Sequence, residues 1–154
     1  MTHYPHLLLD IQLHTALVTI SNPPANTWNA DSLNGLIELV HELNANRDIY
    51  ALVLTGEGSK FFSAGADLNM FADGDPAVAR KMARLFGQAF ETLTDFRGVS
   101  IAAINGYALG GGLALALACI AGRCPEAGCL AGLGHVTTPS SVSSMEGQIR
   151  KTAS

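Results

Sequence analysis

The segment Ile101-Ala-Ala-Ile-Asn-Gly-Tyr-Ala-Leu-Gly-Gly-Gly-Leu-Ala-Leu-Ala-Leu-Ala-Cys119 decides the fold of this chain. Its apolar start, residues 101–104, predicts a buried strand, and Asn105-Gly106 predicts a turn. The glycines at 110–112 then open an Ala/Leu helix, and their lack of side chains lets a ligand approach the backbone N–H groups. The first N–H groups of a helix have no intrahelical partners and favour negative charge. The segment therefore predicts a site for an oxygen that gains charge during a reaction.

A second turn of small residues precedes that segment in the chain. Phe61-Phe-Ser-Ala-Gly-Ala-Asp-Leu68 follows an apolar strand at residues 51–55 and a glycine-containing loop at residues 56–60. The small residues 63–66 again let the backbone meet a ligand, and Asp67 is predicted to cap a short helix. One such turn alone more often marks tight packing or a bend. Two turns in this order and spacing are far more specific to a binding site.

The remaining elements predict an α/β domain in layers. Apolar runs at residues 7–13 and 16–20 predict a pair of strands joined through His14 and Thr15. Apolar residues at three- and four-residue steps predict an amphipathic helix over residues 30–46 and a second long helix that begins at Pro76. Strands that alternate with helices in this way are typical of α/β folds.

Three motifs together resemble a known signature. Asn22-Pro-Pro-Ala-Asn26, Phe62-Ser-Ala-Gly-Ala-Asp-Leu68 and Ile104-Asn-Gly-Tyr-Ala-Leu-Gly-Gly-Gly112 are similar to motifs of the crotonase (enoyl-CoA hydratase/isomerase) superfamily. The resemblance implies a core that repeats strand, strand and helix as a spiral. It also implies that residues 1–119 form the N-terminal part of an acyl-CoA domain, so we expect an incomplete crotonase-like core.

The resemblance implies the site as well. It makes the backbone N–H groups of Ala66 and Gly111 an oxyanion hole, which holds the thioester carbonyl oxygen of an acyl-CoA while an enolate forms. Coenzyme A arrives as part of the substrate, so no further cofactor and no metal are implied. Further substrate contacts are carried over to Ala25, Ala64, Asp67, Leu68 and Gly110.

The groups that transfer protons do not match the family. Its hydratases use two glutamates, and Ala114 stands at the first position, where a methyl group cannot move a proton. General acid–base catalysis contributes about 10²–10⁴-fold. Pro125-Glu126 resembles the segment of the second glutamate but follows Cys119 too soon. Two interpretations stay open: an enoyl-CoA hydratase/isomerase-like protein that is weak or inactive, or a non-catalytic acyl-CoA-binding or degenerate fragment.

The sequence changes character after Cys119. Ile120 stands where the family has an acidic residue, and residues 120–154 show neither helical nor strand periodicity. We expect a divergent and poorly ordered tail, because this composition buries too little to offset its ordering entropy. A frameshift or a rearranged gene end would produce such a break. Family members are commonly trimers or paired trimers, and a homo-oligomer is not expected of this chain because those contacts come from the later segments.

Composition excludes several classes of function. A formal net charge of −4 leaves no basic surface for nucleic acid. The three cysteines and five histidines form no CxxC or HExxH pattern, so we expect free thiols and no metal site. The uncharged stretch over residues 98–122 is mainly Ala and Gly and is broken by a turn, unlike a membrane span. Residues 1–14 lack the basic start and the long apolar core of a signal peptide, so the expected location is the cytoplasm.

Overall fold

The computed structural model describes residues 4–119 and, beyond them, the backbone of three short strands. The predictions about residues 120–154, including Glu126, otherwise lie outside the described residues. The strands are β1 (Leu7–Gln12), β2 (Thr15–Ile20), β3 (Ala51–Gly56), β4 (Phe61–Ser63), β5 (Val99–Ala103), β6 (Tyr107–Leu109), β7 (Ala121–Arg123), β8 (Leu130–Gly132) and β9 (His135–Val136). The helices are α1 (Ala30–Ala45), α2 (Pro76–Thr94) and α3 (Gly111–Ala118), with a 3₁₀ helix at Leu68–Phe71.

The described strands form two sheets. The larger has the order β1-β2-β3-β5-β7, in which β1 and β2 are antiparallel and the other neighbours are parallel. The smaller has the order β4-β6-β8-β9. Along the chain, strand, strand and helix follow one another three times, from β1 to α3. This confirms the α/β fold with a repeated strand–strand–helix pattern.

Helix α1 packs beside α2 and contacts β1 of the larger sheet. Asn29 caps its first turn by accepting the Ser32 N–H at 2.9 Å, and the Ser32 hydroxyl accepts the Asn29 N–H at 3.0 Å. Leu33 and Leu36 are fully buried in the same core cluster as Val18 of β2. Each fully buried leucine stabilises the fold by about 1.5–3 kcal/mol.

Two predicted strands need corrected bounds, and one predicted helix start is confirmed. The first strand ends at Gln12 rather than at residue 13, because Leu13 takes a positive φ of 55° and forms the turn with His14. The strand predicted at residues 101–104 lies at Val99–Ala103. The prediction of a helix that begins at Pro76 is confirmed, and Asp75 caps it by accepting the Ala77 N–H at 2.8 Å.

Strands β4 and β6 were not predicted from the sequence. Each has three residues, which is too short for a period of two to be visible. They matter because each leads directly into one of the two small-residue turns. No helix among the described residues has both the length and the apolar character to cross a bilayer.

Candidate active site

The first turn follows β4 and is held by backbone hydrogen bonds on both sides of Ala66. The Trp28 N–H donates to the Gly65 carbonyl at 2.8 Å, and the Asp67 N–H donates to the Trp28 carbonyl at 2.8 Å. In a parallel pair of this kind, the residue between the two bonded groups directs its own N–H to the other side. The Ala66 N–H therefore faces away from Trp28. Inside the turn, the Ser63 hydroxyl accepts the Gly65 N–H at 3.2 Å.

The second turn lies between β6 and α3. Gly110 has a φ of 49° and makes no side-chain cap, and the first helical bond runs from the Ala114 N–H to the Gly110 carbonyl at 3.1 Å. The Gly111 N–H is thus the first of α3, at the end of the helix where the dipole is positive. Within residues 4–119, neither this N–H nor that of Ala66 donates a hydrogen bond to another group.

The two turns are in direct contact. A Cβ atom on Gly65 would lie 2.8 Å from the Gly111 nitrogen and 2.9 Å from the Leu109 carbonyl oxygen. A Cβ atom on Gly112 would lie 2.2 Å from the Ser63 carbonyl oxygen. These approaches leave no room for a side chain, and Gly65 also has a φ of 90° that favours glycine. The contact brings the backbone beside Ala66 against the N-terminus of α3.

The other predicted site residues differ in their surroundings. Ala64 joins Ala25 through an N–H to carbonyl bond of 2.9 Å, and Gly110 directly precedes α3. Asp67 caps the 3₁₀ helix by accepting the Asn69 N–H at 3.0 Å, which confirms its predicted capping role. Leu68 stands apart, because its side chain is 79% exposed. The contacts of these residues with a substrate stay predictions.

The first turn of α3 carries no ionisable group at the position where the family resemblance expects a glutamate. Ala114 is exposed and places a methyl group there. Among the described residues, no group of three or more His, Cys, Asp or Glu side chains is arranged to hold a metal ion. The backbone N–H groups of Ala66 and Gly111 are donors of the kind that can bind a negatively charged oxygen.

Cys119 ends α3 and is buried. Burial raises the pKa of its thiol to about 11, against the opposing effect of a hydrogen bond with the Ser100 side chain. Its Sγ lies 3.6 Å from the Leu115 carbonyl oxygen. The thiol is neutral at physiological pH, so it is not a nucleophile there.

Asn26 and Asn105 lie in two of the motifs that carry the family resemblance, but the sequence does not predict the hydrogen bonds of their side chains. The Asn26 amide donates to the carbonyls of Glu57 and Phe61, both at 3.0 Å. The Asn105 amide donates to the carbonyls of Gly56 and Gly58 at 2.8 and 2.7 Å. The motifs place both residues near the site, and the Asn-Gly pair at 105–106 predicts a turn, but neither signal identifies the carbonyl groups that these side chains bind.

Comparisons with known proteins agree with this fold. The family model for enoyl-CoA hydratase/isomerase matches residues 10–125. Short-chain-enoyl-CoA hydratase of Clostridium acetobutylicum is 35% identical over 115 residues, which are 74% of this chain and 44% of that protein. The 2,3-dehydroadipyl-CoA hydratase of Escherichia coli is 40% identical over 116 residues, 73% of this chain and 44% of that protein.

Solved structures show the same relationship. Pseudomonas aeruginosa DspI superposes with a TM-score of 0.77 at 66% identity, over 79% of this chain and 47% of that chain. Enoyl-CoA hydratase from Bacillus anthracis superposes with a TM-score of 0.74 at 30% identity, over 76% and 46%. The chain thus spans less than half the length of these four relatives.

Proposed function

Because the chain belongs to the enoyl-CoA hydratase/isomerase family, we propose that it binds an acyl-CoA thioester at the two turns. The thioester carbonyl oxygen accepts hydrogen bonds from the N–H groups of Ala66 and Gly111. The contact between Gly65 and the Gly111 nitrogen is the observation that carries this proposal. It supports the proposal because Gly65 directly precedes Ala66, and neither N–H group is used by another group within residues 4–119.

The two donors suit an enolate. When a proton leaves C2 of the acyl group, or when water adds to C3 of an enoyl group, negative charge develops on the carbonyl oxygen, and it is lost again when C2 takes up a proton. Donors that are already oriented stabilise this charge without reorganisation, and losing one costs about 2.7–4 kcal/mol of transition-state stabilisation. The dipole of α3 adds to the same effect at Gly111.

Further contacts of the substrate follow the backbone near these donors. The coenzyme A portion contacts the backbone of Ala25, Ala64 and Gly110. The first two of these residues are hydrogen-bonded to each other. Leu68 offers an exposed apolar side chain, and Asp67 orients the start of the 3₁₀ helix beside it. Coenzyme A enters with the substrate, so the proposed reaction needs no other cofactor. The proposed location is the cytoplasm.

The proposed chemistry needs a group that transfers protons, and the position of Ala114 does not supply one. The methyl group of Ala114 cannot act as an acid or base, and a missing acid–base group costs about 10²–10⁴-fold in rate. We therefore expect this chain to bind an enoyl-CoA and to hydrate or isomerise it slowly or not at all. The same observation favours the second candidate function, non-catalytic binding of an acyl-CoA.

Crotonyl-CoA tests both candidates in one titration. Saturable binding with no loss of enoyl-thioester absorbance supports the non-catalytic function, and loss of absorbance at a rate proportional to protein supports the enzyme. Failure of the folded chain to bind crotonyl-CoA would contradict both.

A pair of variants tests the role given to Ala114. A114E places a carboxylate at the position that the family resemblance identifies, and L117E places one on an exposed site of the same helix, one turn later. We expect A114E to raise the turnover of crotonyl-CoA, by at most about 10²–10⁴-fold, and L117E to leave it unchanged. An equal response of the two variants would remove Ala114 as the reason for low activity.

A further inference from the structure

The side chain of Asn105 joins two loops that lead to the two donors. Asn105 lies between β5 and β6, and β6 runs into the turn that ends at Gly111. Its Nδ2 donates to the carbonyls of Gly56 and Gly58, and its Oδ1 accepts the Gly56 N–H at 2.9 Å. These partners lie at the start of the 56–61 loop. This loop runs from the last residue of β3 to the first residue of β4, and it therefore leads to Ala66.

Asn26 holds the same loop from another side. Its Nδ2 donates to the carbonyls of Glu57 and Phe61, its Oδ1 accepts the Asn22 N–H at 3.2 Å, and its side chain is 3% exposed. Together, the two amide groups satisfy carbonyls at positions 56, 57, 58 and 61 of the loop. The 56–61 loop is therefore held by side chains from two other connections.

The ladder between β4 and β6 needs such support. It pairs Phe61 with Tyr107 and Ser63 with Ala108, and its register shifts between these pairs. A ladder this short and irregular contributes few hydrogen bonds of its own, and a slip of one residue would turn every side chain to the other face. The Tyr107 N–H donates to the Lys60 carbonyl at 2.9 Å, beside the bonds of Asn105.

We propose that Asn105 is a positioning residue that sets the register of β4 against β6 and thereby the spacing between the Ala66 and Gly111 N–H groups. The bonds of Asn105 lie at the entry of the ladder, and the two donors lie at its exit. Asn105 itself touches no substrate. This inference rests on the proposed oxyanion-hole function, which it deepens.

The test compares N105D with N44D in the full chain. Aspartate has nearly the shape of asparagine but cannot donate to the Gly56 and Gly58 carbonyls. Asn44 is also half-buried and also connects two segments: its Nδ2 donates to the Asp95 carbonyl at 3.4 Å, a bond that N44D removes, and its Oδ1 accepts the Arg97 N–H at 2.8 Å. If N105D does not fold, N105S replaces it, because serine keeps one donor and adds no charge.

Two probes separate the carbonyl from the rest of the ligand. Crotonyl-CoA has a thioester carbonyl, and S-butyl-CoA, a thioether, has none. We expect the wild-type chain to prefer crotonyl-CoA by about three- to tenfold in Kd, the usual range for a hydrogen bond to a neutral group. In N105D the preference should fall to near one, while the Kd for S-butyl-CoA stays the same. N44D should keep the preference.

Each outcome decides the inference. Retention of the thioester preference in N105D would overturn the positioning role and leave the proposed function intact. Absence of the preference in the wild-type chain would contradict the oxyanion hole instead. The register is then judged by the cross-strand nuclear Overhauser effect between Phe61 and Tyr107. Loss of this effect in N105D supports the role of Asn105. Its retention overturns that role.

Discussion

The two turns are held by opposite means. The first is fixed by hydrogen bonds: Trp28 brackets Ala66 from one side, and the Ser63 hydroxyl binds the Gly65 N–H from within. The second has no side-chain cap and is fixed by close packing of Gly112 against the Ser63 carbonyl. A backbone donor can thus be positioned by added bonds or by an absent side chain. The close packing at Gly112 tolerates less change than any single hydrogen bond of the first turn, since one methyl group is enough to break it.

Adding a methyl group to the packed turn should give the largest effect. In G112A the new Cβ would lie 2.2 Å from the Ser63 carbonyl oxygen, so the backbone must move. We expect the free energy of unfolding in urea to fall by about 3 kcal/mol, the upper part of the range for overpacking. The control G87A adds a methyl group in α2 with nothing within 4 Å and should stabilise the chain by about 0.5–1 kcal/mol. Equal effects of the two substitutions would refute this account of the second turn.

The free energy of unfolding should depend on pH through Cys119. This residue lies at the C-terminal end of α3, the helix that follows the packed turn. Burial raises the pKa of Cys119 to about 11, so the unfolded chain loses this proton at a lower pH than the folded chain does. Stability should therefore decline as the pH rises above the ordinary thiol pKa. Between pH 8 and pH 10 we expect a loss of about 1.4 kcal/mol in the wild-type chain beyond that in C119A. Parallel stability curves for the two proteins would contradict the burial of this thiol.

The bonded turn should respond less strongly. S63A leaves the Gly65 N–H without its acceptor, and Ser63 is fully buried. We expect a loss of about 1 kcal/mol in the free energy of unfolding, the usual cost of an unmade buried hydrogen bond. Ser59 is exposed in the neighbouring loop, so S59A serves as the control and should change stability by less than about 0.5 kcal/mol. A larger loss for S63A than for G112A would reverse the comparison between the turns.

The cap at the end of the bonded turn should matter least. D67A removes the acceptor of the Asn69 N–H, but the 3₁₀ helix that it caps buries none of its residues. We expect a loss of about 0.5 kcal/mol in thermal or urea unfolding, at the low end for caps. D75A, which removes the cap of the much longer α2, should cost more. A greater loss for D67A would mean that Asp67 has a further structural partner.

The features that the sequence predicts correctly depend on residues that are close together in the chain. The glycine turns, the Asp67 cap and the helix at Pro76 all depend on neighbours in the chain, and the structure places each as expected. Asn26 and Asn105 depend instead on carbonyl groups of the 56–61 loop, and carbonyls are the same at every residue. No residue type in that loop could therefore reveal its partners. The meeting of the two turns was implied by the family resemblance rather than by periodicity.

Trp28 gives the molecule an intrinsic optical reporter. It is the only tryptophan of the chain, it is fully buried, and its backbone pairs with Ala66. Within the part of the chain that the structure describes, its indole Nε1 has no hydrogen-bond partner, so the excited ring meets little polar relaxation. Its fluorescence should therefore be emitted at short wavelength in the folded chain and shift to the red when the first turn detaches. Emission at one wavelength would follow the candidate site without any label.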